Sequence, residues 1–462
     1  MHYFVIWLFL EVSVMNVVNG NIKKIYLKYL FAAFGSSLIS CIYGLVDMAM
    51  VGQYYGPIGS QAMAIIAPIW NIIYSLGLLI GIGGSVLFAV NKGKNDKKTA
   101  NKFFTSSIIY GVIISIIFLI LFWLFEDQLL YVFGAKDANT LKLCKEYLLP
   151  IKFAAPSFIF AQILAAYLRN DNKPMLATLS IIFAGVFNVA GDYIFVFSLD
   201  MGMLGAGLAT AIGSLVSLLI MSTHFLSKSN TMKFSCNKEV FSLFVPISKT
   251  GFSAFIADIA MGFLTMLFNN LILKYLNDDA LAVYAVIINI STIVQCCGYG
   301  IGQAGQPILS TNFGAKRYDR VSLTLKYNII TAIIVGAIWT GIVMIFPKQL
   351  IRIFMAPTEE VLNIAPNIMR IYSISLLILP FNIYCTYYFQ ALLKENVATI
   401  ISLARGIVIS GIVLVLLPLI FDGNAMWWTM VITEALVAIY AILVMIKLQR
   451  NLKTEENNCK RH

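Results

Sequence analysis

The chain has 462 residues, of which 60% are hydrophobic and only 12% are charged. This balance excludes an ordinary soluble domain and predicts many membrane spans. The net charge of +11 could suggest a nucleic-acid partner, but the positive residues lie in short loops between apolar runs, as the positive-inside rule describes. We therefore expect a protein embedded in the lipid bilayer, without a nucleic-acid partner.

Residues 1–14 are apolar, but they carry neither a basic start nor a small-residue cleavage site, so they do not resemble a signal peptide. Met15 opens a more ordinary start, with Lys23, Lys24 and Lys28 just before the first long apolar run. We expect residues 1–14 to be dispensable or to lie upstream of the native start.

Twelve apolar runs of membrane-spanning length, which we number as spans 1 to 12, follow along the chain. Their approximate bounds are 29–51, 62–90, 103–125, 147–168, 175–197, 204–226, 252–274, 280–309, 327–346, 367–392, 398–421 and 425–446. Most of the 33 Lys and Arg residues fall on one side if both termini are cytoplasmic, which predicts that orientation in the cell membrane. We expect three cytoplasmic segments: 1–28, a linker at 227–251 and a basic tail at 447–462.

The chain also repeats itself. The end of span 2 and the end of span 8 share a Gly-rich helix end, a glycine turn and a basic loop. Gly93 and Gly314 in these turns are separated by 221 residues, as are Ala177 and Ala398 at the starts of spans 5 and 11. The repeat predicts an all-α polytopic membrane protein with twelve transmembrane helices in two pseudo-symmetric six-helix lobes. The N-lobe is 29–226 and the C-lobe is 252–446. Repeated halves are the layout of secondary transporters.

Asp192 is the only charged residue in the apolar run 175–197. A lone carboxylate in hydrocarbon is costly unless it is paired, hydrated, protonated or bound to an ion, so Asp192 is a candidate functional residue. Asn188 lies one helical turn earlier on the same face. At ~1.5 Å per residue from the predicted span ends, Asp47, Asp192 and Thr210 lie at one depth, with Asn188 about one turn deeper.

These four side chains supply oxygen ligands, which suit a proton or a hard cation such as Na⁺ rather than zinc or copper. The repeat offset places Ile409, Val413 and Val431 at the positions of Asn188, Asp192 and Thr210 in the second half. Polarity confined to one half favours a local site there. A hydrogen-bonded packing cluster without an ion is the alternative.

Four motifs carry a family resemblance: VDMAMVG with Asp47, the N-x-x-x-D of Asn188 and Asp192, GAGLAT ending in Thr210, and GIGQAGQPILSTNFGAKRYDRV in the second half. With them the chain resembles the multidrug and toxic compound extrusion (MATE) family and, within it, the DinF-like branch. The resemblance implies a two-lobed antiporter that exports organic, often cationic, compounds in exchange for Na⁺ or H⁺. It also implies that the positions of Asp47, Asn188, Asp192 and Thr210 form the cation site. No cofactor beyond the coupling ion is expected, and we expect a transporter rather than an enzyme.

Span 1 departs from some relatives because the first proline of the chain is Pro57, beyond the span. Any bending of span 1 would therefore rely on Gly35, Gly44 or Gly52.

Three further charged residues are secondary candidates. Asp258 in span 7 could take part in coupling, as an acid in this span does in another branch of the family, or pair with Lys249 near the cytoplasmic rim, which we favour. Glu434 in span 12 could attract a cationic substrate or pair with Arg405. We favour the pairing.

Two rival functions remain. A flippase for lipid-linked precursors, from the same superfamily, would need cationic residues in the central cavity, and the sequence offers few buried Lys or Arg residues, chiefly Arg405.

A membrane-embedded enzyme would need a catalytic dyad or a metal cluster. His2, His224 and His462 lie at a terminus or near a span end, so no buried histidine is expected to serve as a general base, and the seven cysteines lack a C-x-x-C pair. We expect a monomer that binds small molecules.

Overall fold

The computed structural model describes residues 17–235 and 238–461. The prediction about residues 1–14 falls outside this part of the chain. Within it there is no β-strand, and twelve helices are long and apolar enough to cross a membrane. The predicted fold class is therefore confirmed. The twelve spans are Ile22–Tyr55, Pro57–Gly93, Lys97–Phe133, Ala138–Asn170, Pro174–Ser198, Gly202–Leu226, Glu239–Tyr275, Asp278–Gly314, Tyr318–Ile345, Glu359–Ala391, Glu395–Ile420 and Gly423–Asn457.

Several spans are not plain α-helices along their whole length. In span 5 the α-helix Pro174–Asp192 continues as the π-helical turn Tyr193–Ser198. Span 11 holds a second π-helical turn, Ala404–Val408, between two α-helical pieces. A short helix, Pro347–Phe354, connects spans 9 and 10. Since π-helical turns are concentrated at functional sites, the two turns mark the spans that carry Asp192 and Arg405.

Polar capping residues fix where many spans begin. The side chain of Asp137 accepts a 2.8 Å hydrogen bond from the backbone N–H of Thr140, and that of Asn277 accepts one of 3.0 Å from Ala280. Such caps satisfy backbone donors that the first helical turn leaves without partners. The helices start at these caps rather than at the first apolar residue, and so they are longer than the predicted apolar runs.

The sequence repeat is visible in the backbone. Asn95 and Lys316, separated by 221 residues, both adopt a left-handed conformation, with φ of 61° and 56°. The same separation joins Asn172 and Leu393, with φ of 63° and 55°. Left-handed backbone is uncommon outside glycine, so two matched pairs are specific evidence that the halves fold alike.

Span 1 is one unbroken α-helix from Ile22 to Tyr55. Of the three glycines considered as sources of flexibility, Gly35 packs against Thr178 of span 5, and a Cβ atom on Gly52 would lie 2.8 Å from the hydroxyl of Ser60. Gly44 has no neighbour within 4 Å of such an atom. Gly44 is therefore the position in span 1 where the backbone has room to bend.

The two lobes touch backbone to backbone at the end of the bundle that carries the basic loops, which we call the basic side. A Cβ atom on Gly93 would lie 2.1 Å from the carbonyl oxygen of Thr311, and one on Gly314 would lie 2.0 Å from that of Val90. These contacts are reciprocal, because Val90 and Thr311 are themselves equivalent in the repeat. Only glycine permits this approach, so the helix ends close the basic side.

A buried polar cluster holds the start of the linker against the N-lobe on the basic side. Asp171 accepts a 2.5 Å hydrogen bond from Lys92, lies 2.8 Å from Nε2 of His224 and accepts a 3.0 Å bond from the backbone N–H of Thr231. Burial raises the pKa of Asp171, but these partners outweigh it and hold the pKa below its usual value. His224, which lies near a span end as expected, is nevertheless buried, with 2% exposed. Its contact with the carboxylate of Asp171 satisfies the buried imidazole ring.

Candidate functional site

Asp192 ends the α-helical part of span 5 and is fully buried. Neither of its carboxylate oxygens accepts a hydrogen bond from a described residue, and no described Lys, Arg or His forms an ion pair with it. A buried carboxylate in this state is costly unless its charge is neutralised by a proton or a cation.

Close helix packing brings Asn188 to Thr210. The amide Nδ2 of Asn188 in span 5 donates a 2.9 Å hydrogen bond to the hydroxyl of Thr210 in span 6. Bare glycines permit the approach. A Cβ atom on Gly191 would lie 2.9 Å from that of Ala209, and one on Gly213 would lie 3.0 Å from the carbonyl oxygen of Ala184. The carbonyl oxygen Oδ1 of Asn188 has no hydrogen-bond partner among the described residues and can act as a ligand.

Asp47 reaches the same place from span 1 and is bound by a tyrosine that the sequence did not point to. The hydroxyl of Tyr147 in span 4 donates a 2.8 Å hydrogen bond to Oδ2 of Asp47, whereas Oδ1 of Asp47 has no partner among the described residues. Gly207 admits Tyr147, because a Cβ atom there would lie 2.1 Å from the carbonyl oxygen of Tyr147. A tyrosine at a span end is usual for the membrane interface, so the sequence carried no signal for this role.

The four predicted side chains and Tyr147 therefore form one cluster, which we call the N-lobe site. Its two carboxylates are close enough to interact electrostatically, and Tyr147 lies beside Thr210. One oxygen of Asp47, one of Asn188 and both of Asp192 accept no hydrogen bond from any described residue. Such a set can bind protons or a hard cation. The described residues contain no group of three or more His, Cys, Asp or Glu side chains that could hold a metal ion.

The N-lobe site lies in the wall of a cavity of about 460 Å³ between the two lobes, which we call the central cavity. Asp47, Asn188 and Thr210 line it directly, and Asp192 lies behind them. The rest of the wall combines apolar, aromatic and small polar side chains from both lobes, among them Met48, Trp70, Tyr74, Phe158, Ser217 and Tyr299. A cavity of this size and lining accommodates a drug-sized organic molecule.

Asp258 lines the central cavity from the C-lobe and forms no ion pair with Lys249, so the favoured pairing is wrong. The two residues are nine positions apart on one helix, which at about 100° per residue places them on opposite faces. Lys249 is accordingly exposed.

Glu434 and Arg405 lie away from the central cavity, beside a small cavity of about 50 Å³ inside the C-lobe. Glu434 is fully buried, accepts a 2.7 Å hydrogen bond from Nε of Arg405 and accepts another of 2.6 Å from Asn382. The pairing that we favoured is the arrangement seen.

Arg169 is the charged residue that sequence reasoning missed. It follows the predicted end of span 4 at residue 168, but the residue is only 9% exposed and lines the central cavity. The expectation that Arg405 is the main buried cation near the cavity is therefore wrong. A position near a span end suggests an exposed side chain, but Arg169 is buried because neighbouring segments cover the last helical turn of span 4.

Comparison with known proteins agrees with this architecture. The sequence model of the MatE family matches residues 32–194 and again 254–416, once in each lobe. The chain is 29% identical to the multidrug export protein MepA of Staphylococcus saprophyticus over 91% of this chain and 92% of the relative. It is 26% identical to MepA of Staphylococcus aureus over 91% and 92%.

Solved structures resemble the fold as a whole. A multidrug resistance MATE family transporter of the MOP superfamily, in an outward-facing conformation, matches with a TM-score of 0.88 at 20% identity, over 96% of this chain and 99% of the other. A MOP superfamily transporter from Pyrococcus furiosus, described as having a binding pocket of reverse polarity, matches with a TM-score of 0.87 at 20% identity, over 96% and 99%.

Proposed function

The chain belongs to the MATE family, and on this basis we propose that it is a secondary antiporter that exports organic compounds in exchange for Na⁺ or H⁺. Its substrates are cationic or amphipathic small molecules, and no cofactor is needed beyond the coupling ion. The relatives are named as export proteins rather than enzymes, which supports a transport role.

The observation that carries the proposal is the state of Asp192. This carboxylate is fully buried beside a second one, Asp47, which lies in the wall of a drug-sized cavity, and neither oxygen of Asp192 accepts a hydrogen bond from a described residue. A purely structural role does not require such a pair, because burying two unneutralised carboxylates is unfavourable. A coupling ion that enters and leaves during each cycle explains why the protein keeps them.

In the proposed cycle the basic side faces the cytoplasm, and both termini lie there. With this orientation, the Gly93 and Gly314 contacts support assigning the structure to a state closed to the cytoplasm. A proton or Na⁺ from outside binds Asp47, Asn188, Asp192 and Thr210, while substrate leaves outward. The lobes then rock about the central cavity, and the ion is released inward.

Secondary roles follow from position. Asp258 lines the central cavity and forms no ion pair with a described Lys, Arg or His, so we propose that it attracts cationic substrate. Glu434 and Arg405 satisfy each other inside the C-lobe, and we propose that they stabilise its packing. The N-lobe motifs support placement in the DinF-like branch, and we propose a monomer as the working unit.

The flippase alternative is not favoured by the relatives, which are named as multidrug export proteins. Arg169 supplies one cation in the central cavity, but three acidic side chains, Asp47, Asp192 and Asp258, lie in or behind the same wall.

Transport in proteoliposomes tests the proposal. Efflux of a cationic dye is measured with a Na⁺ gradient and a pH gradient imposed separately. Dye movement driven by one or both gradients is expected, and the gradient that drives it identifies the ion. Dye movement that neither gradient changes, in vesicles shown to contain the folded protein, would overturn the antiport mechanism.

A further inference from the structure

Arg169 stands apart from the other buried basic residues of the described chain. Lys152 pairs with Glu126 at 2.5 Å, Arg320 donates to the backbone carbonyls of Val17 and Gly20, and Arg405 pairs with Glu434. Among the described residues, none places an acidic group within 4 Å of the Arg169 guanidinium and none accepts a hydrogen bond from it; the hydroxyl of Tyr29 donates to the backbone carbonyl of Arg169 instead.

A guanidinium in this position is costly. It stays protonated, it carries five N–H donors, and burial without a counter-charge is strongly unfavourable. A neutral residue at this position would avoid the cost, and neutral side chains line most of the same cavity. An anionic group of a ligand would both neutralise the charge and use the donors.

The side chains nearest Arg169 come from both lobes and are mostly neutral, although Asp258 also acts on the same two tyrosines, Tyr74 and Tyr387. Tyr74 of span 2 and Tyr387 of span 10 lie close to its guanidinium, and Gln303 of span 8 lies beside Tyr387. Tyrosine hydroxyls and an amide can donate to an anion without competing for the guanidinium. A planar carboxylate matches the fork of donors on arginine better than other small anions of single charge.

The central cavity therefore carries charges of both signs, none of which is paired with another in an ion pair among the described residues. Carboxylates lie at the N-lobe site and at Asp258, and the guanidinium of Arg169 lies near the closed basic side. We propose that Arg169 binds the carboxylate of zwitterionic organic substrates, whose cationic group faces the acidic part of the cavity. This inference rests on the proposed export function and specifies one of its substrate classes.

The test compares two dyes that differ only at the carboxylate. Rhodamine B carries a free carboxylate beside its cationic ring system, and its ethyl ester keeps only the cation. Export of each is measured in proteoliposomes under the driving gradient for the wild type, Arg169→Gln, Arg169→Lys and Lys173→Gln. The last variant removes a positive charge from the loop four residues away, outside the cavity lining.

The wild type is expected to export both dyes. Arg169→Gln should raise the KM for rhodamine B by roughly tenfold and leave that for the ester within about twofold, as expected for loss of a charge-assisted hydrogen bond. Arg169→Lys should give an intermediate value, because it keeps the charge but loses the fork. Lys173→Gln should behave like the wild type.

Three results would overturn the inference. They are wild-type export of the ester alone, an equal loss of both dyes in Arg169→Gln, or no change in either. An equal loss would assign Arg169 to lobe closure or to a barrier against cations. Binding of the ester to purified Arg169→Gln, followed by fluorescence anisotropy, shows that the variant is folded. Failure of the wild type to move either dye under any gradient would instead count against the export function itself.

Discussion

The hydroxyl of Tyr147 donates a 2.8 Å hydrogen bond to Asp47 from a helix that otherwise contributes only packing to the N-lobe site. Tyr147→Phe removes this donor and leaves the ring in place. We expect the concentration of coupling ion needed for half-maximal efflux to change by roughly tenfold, since a hydrogen bond to a charged group is worth about 1.5–3 kcal/mol. The ion dependence of dye efflux in proteoliposomes measures this. Tyr193→Phe, at an exposed residue beside Asp192, is the matched control, and equal behaviour of both variants would count against a role for Tyr147.

Asp192→Asn tests the N-lobe site most directly. The amide is similar in size but cannot carry the negative charge that a coupling ion neutralises. We expect gradient-driven efflux to fall by at least about tenfold, as for loss of an ion held by a buried charge, while the protein still inserts and purifies as a single species. Asp200→Asn removes an exposed carboxylate eight residues further on and should retain transport. Unchanged efflux in Asp192→Asn would refute the site.

The glycine contact on the basic side predicts a conformational effect. Gly93→Ala places a methyl group 2.1 Å from the carbonyl oxygen of Thr311, so the helix ends must separate. Overpacking of about 1–3 kcal/mol would shift the equilibrium between lobe arrangements by roughly tenfold. Spin labels on the exposed residues Lys94 and Lys316 should report longer distances.

Gly341→Ala is the matched control, because nothing lies within 4 Å of its added methyl group. The label distances in this variant should equal those of the unsubstituted protein. Unchanged distances in Gly93→Ala would show that the contact does not hold the lobes together.

Cys41 of span 1 and Cys296 of span 8 both line the central cavity, one from each lobe, and lie close to each other. A disulfide between them would join the two lobes and arrest their rocking. We expect copper–phenanthroline to stop efflux and dithiothreitol to restore it, whereas Cys41→Ser and Cys296→Ser proteins should resist oxidation. Full transport by protein shown to be cross-linked would contradict a cycle in which these spans separate.

Asp171→Asn tests the polar cluster on the basic side. The folded pKa of Asp171 lies below its usual value, so its stabilising effect is complete above the unfolded pKa of ~3.9 and is lost as the pH falls through the folded value. We expect Asp171→Asn to cost about 2–4 kcal/mol at pH 7, seen as a lower Tm in detergent. The gap in Tm from the wild type should narrow below about pH 4. Asp96→Asn changes an exposed cap that asparagine also serves, so it should leave the Tm nearly unchanged.

Much of the fold could be predicted because membrane spans are a local property. An apolar run of sufficient length forms a helix whatever its neighbours are, since lipid offers no other partners for the backbone. The repeat followed from paired glycine turns, and the structure shows why they recur, since Gly93 and Gly314 form equivalent contacts. The π-helical turns after Asp192 and at Arg405 were not predictable, because their extra residue has no signature in composition.

Those residues of the candidate site whose positions follow from their depth in the membrane could be predicted from the sequence. Asp47, Asn188, Asp192 and Thr210 could be placed together by counting along spans, and the structure brings them together. The positions of Tyr147 and Arg169 in the cavity region could not be predicted in this way. They depend on which way each side chain points at the end of its span. The predicted pairing of Asp258 with Lys249 was wrong for a related reason. It considered how near the two residues are along the helix but not the rotation of the helix between them, which places them on opposite faces.

The contact between Gly93 and Thr311 and its twin between Gly314 and Val90 are two copies of one surface meeting itself. An interface of this kind needs no second, complementary surface, as in a two-fold homodimer. A single six-helix half with this glycine turn could close against another copy of itself. Fusion of two such halves into one chain would preserve this closure. The two halves could then diverge, so that only one of them carries the acidic residues of the N-lobe site.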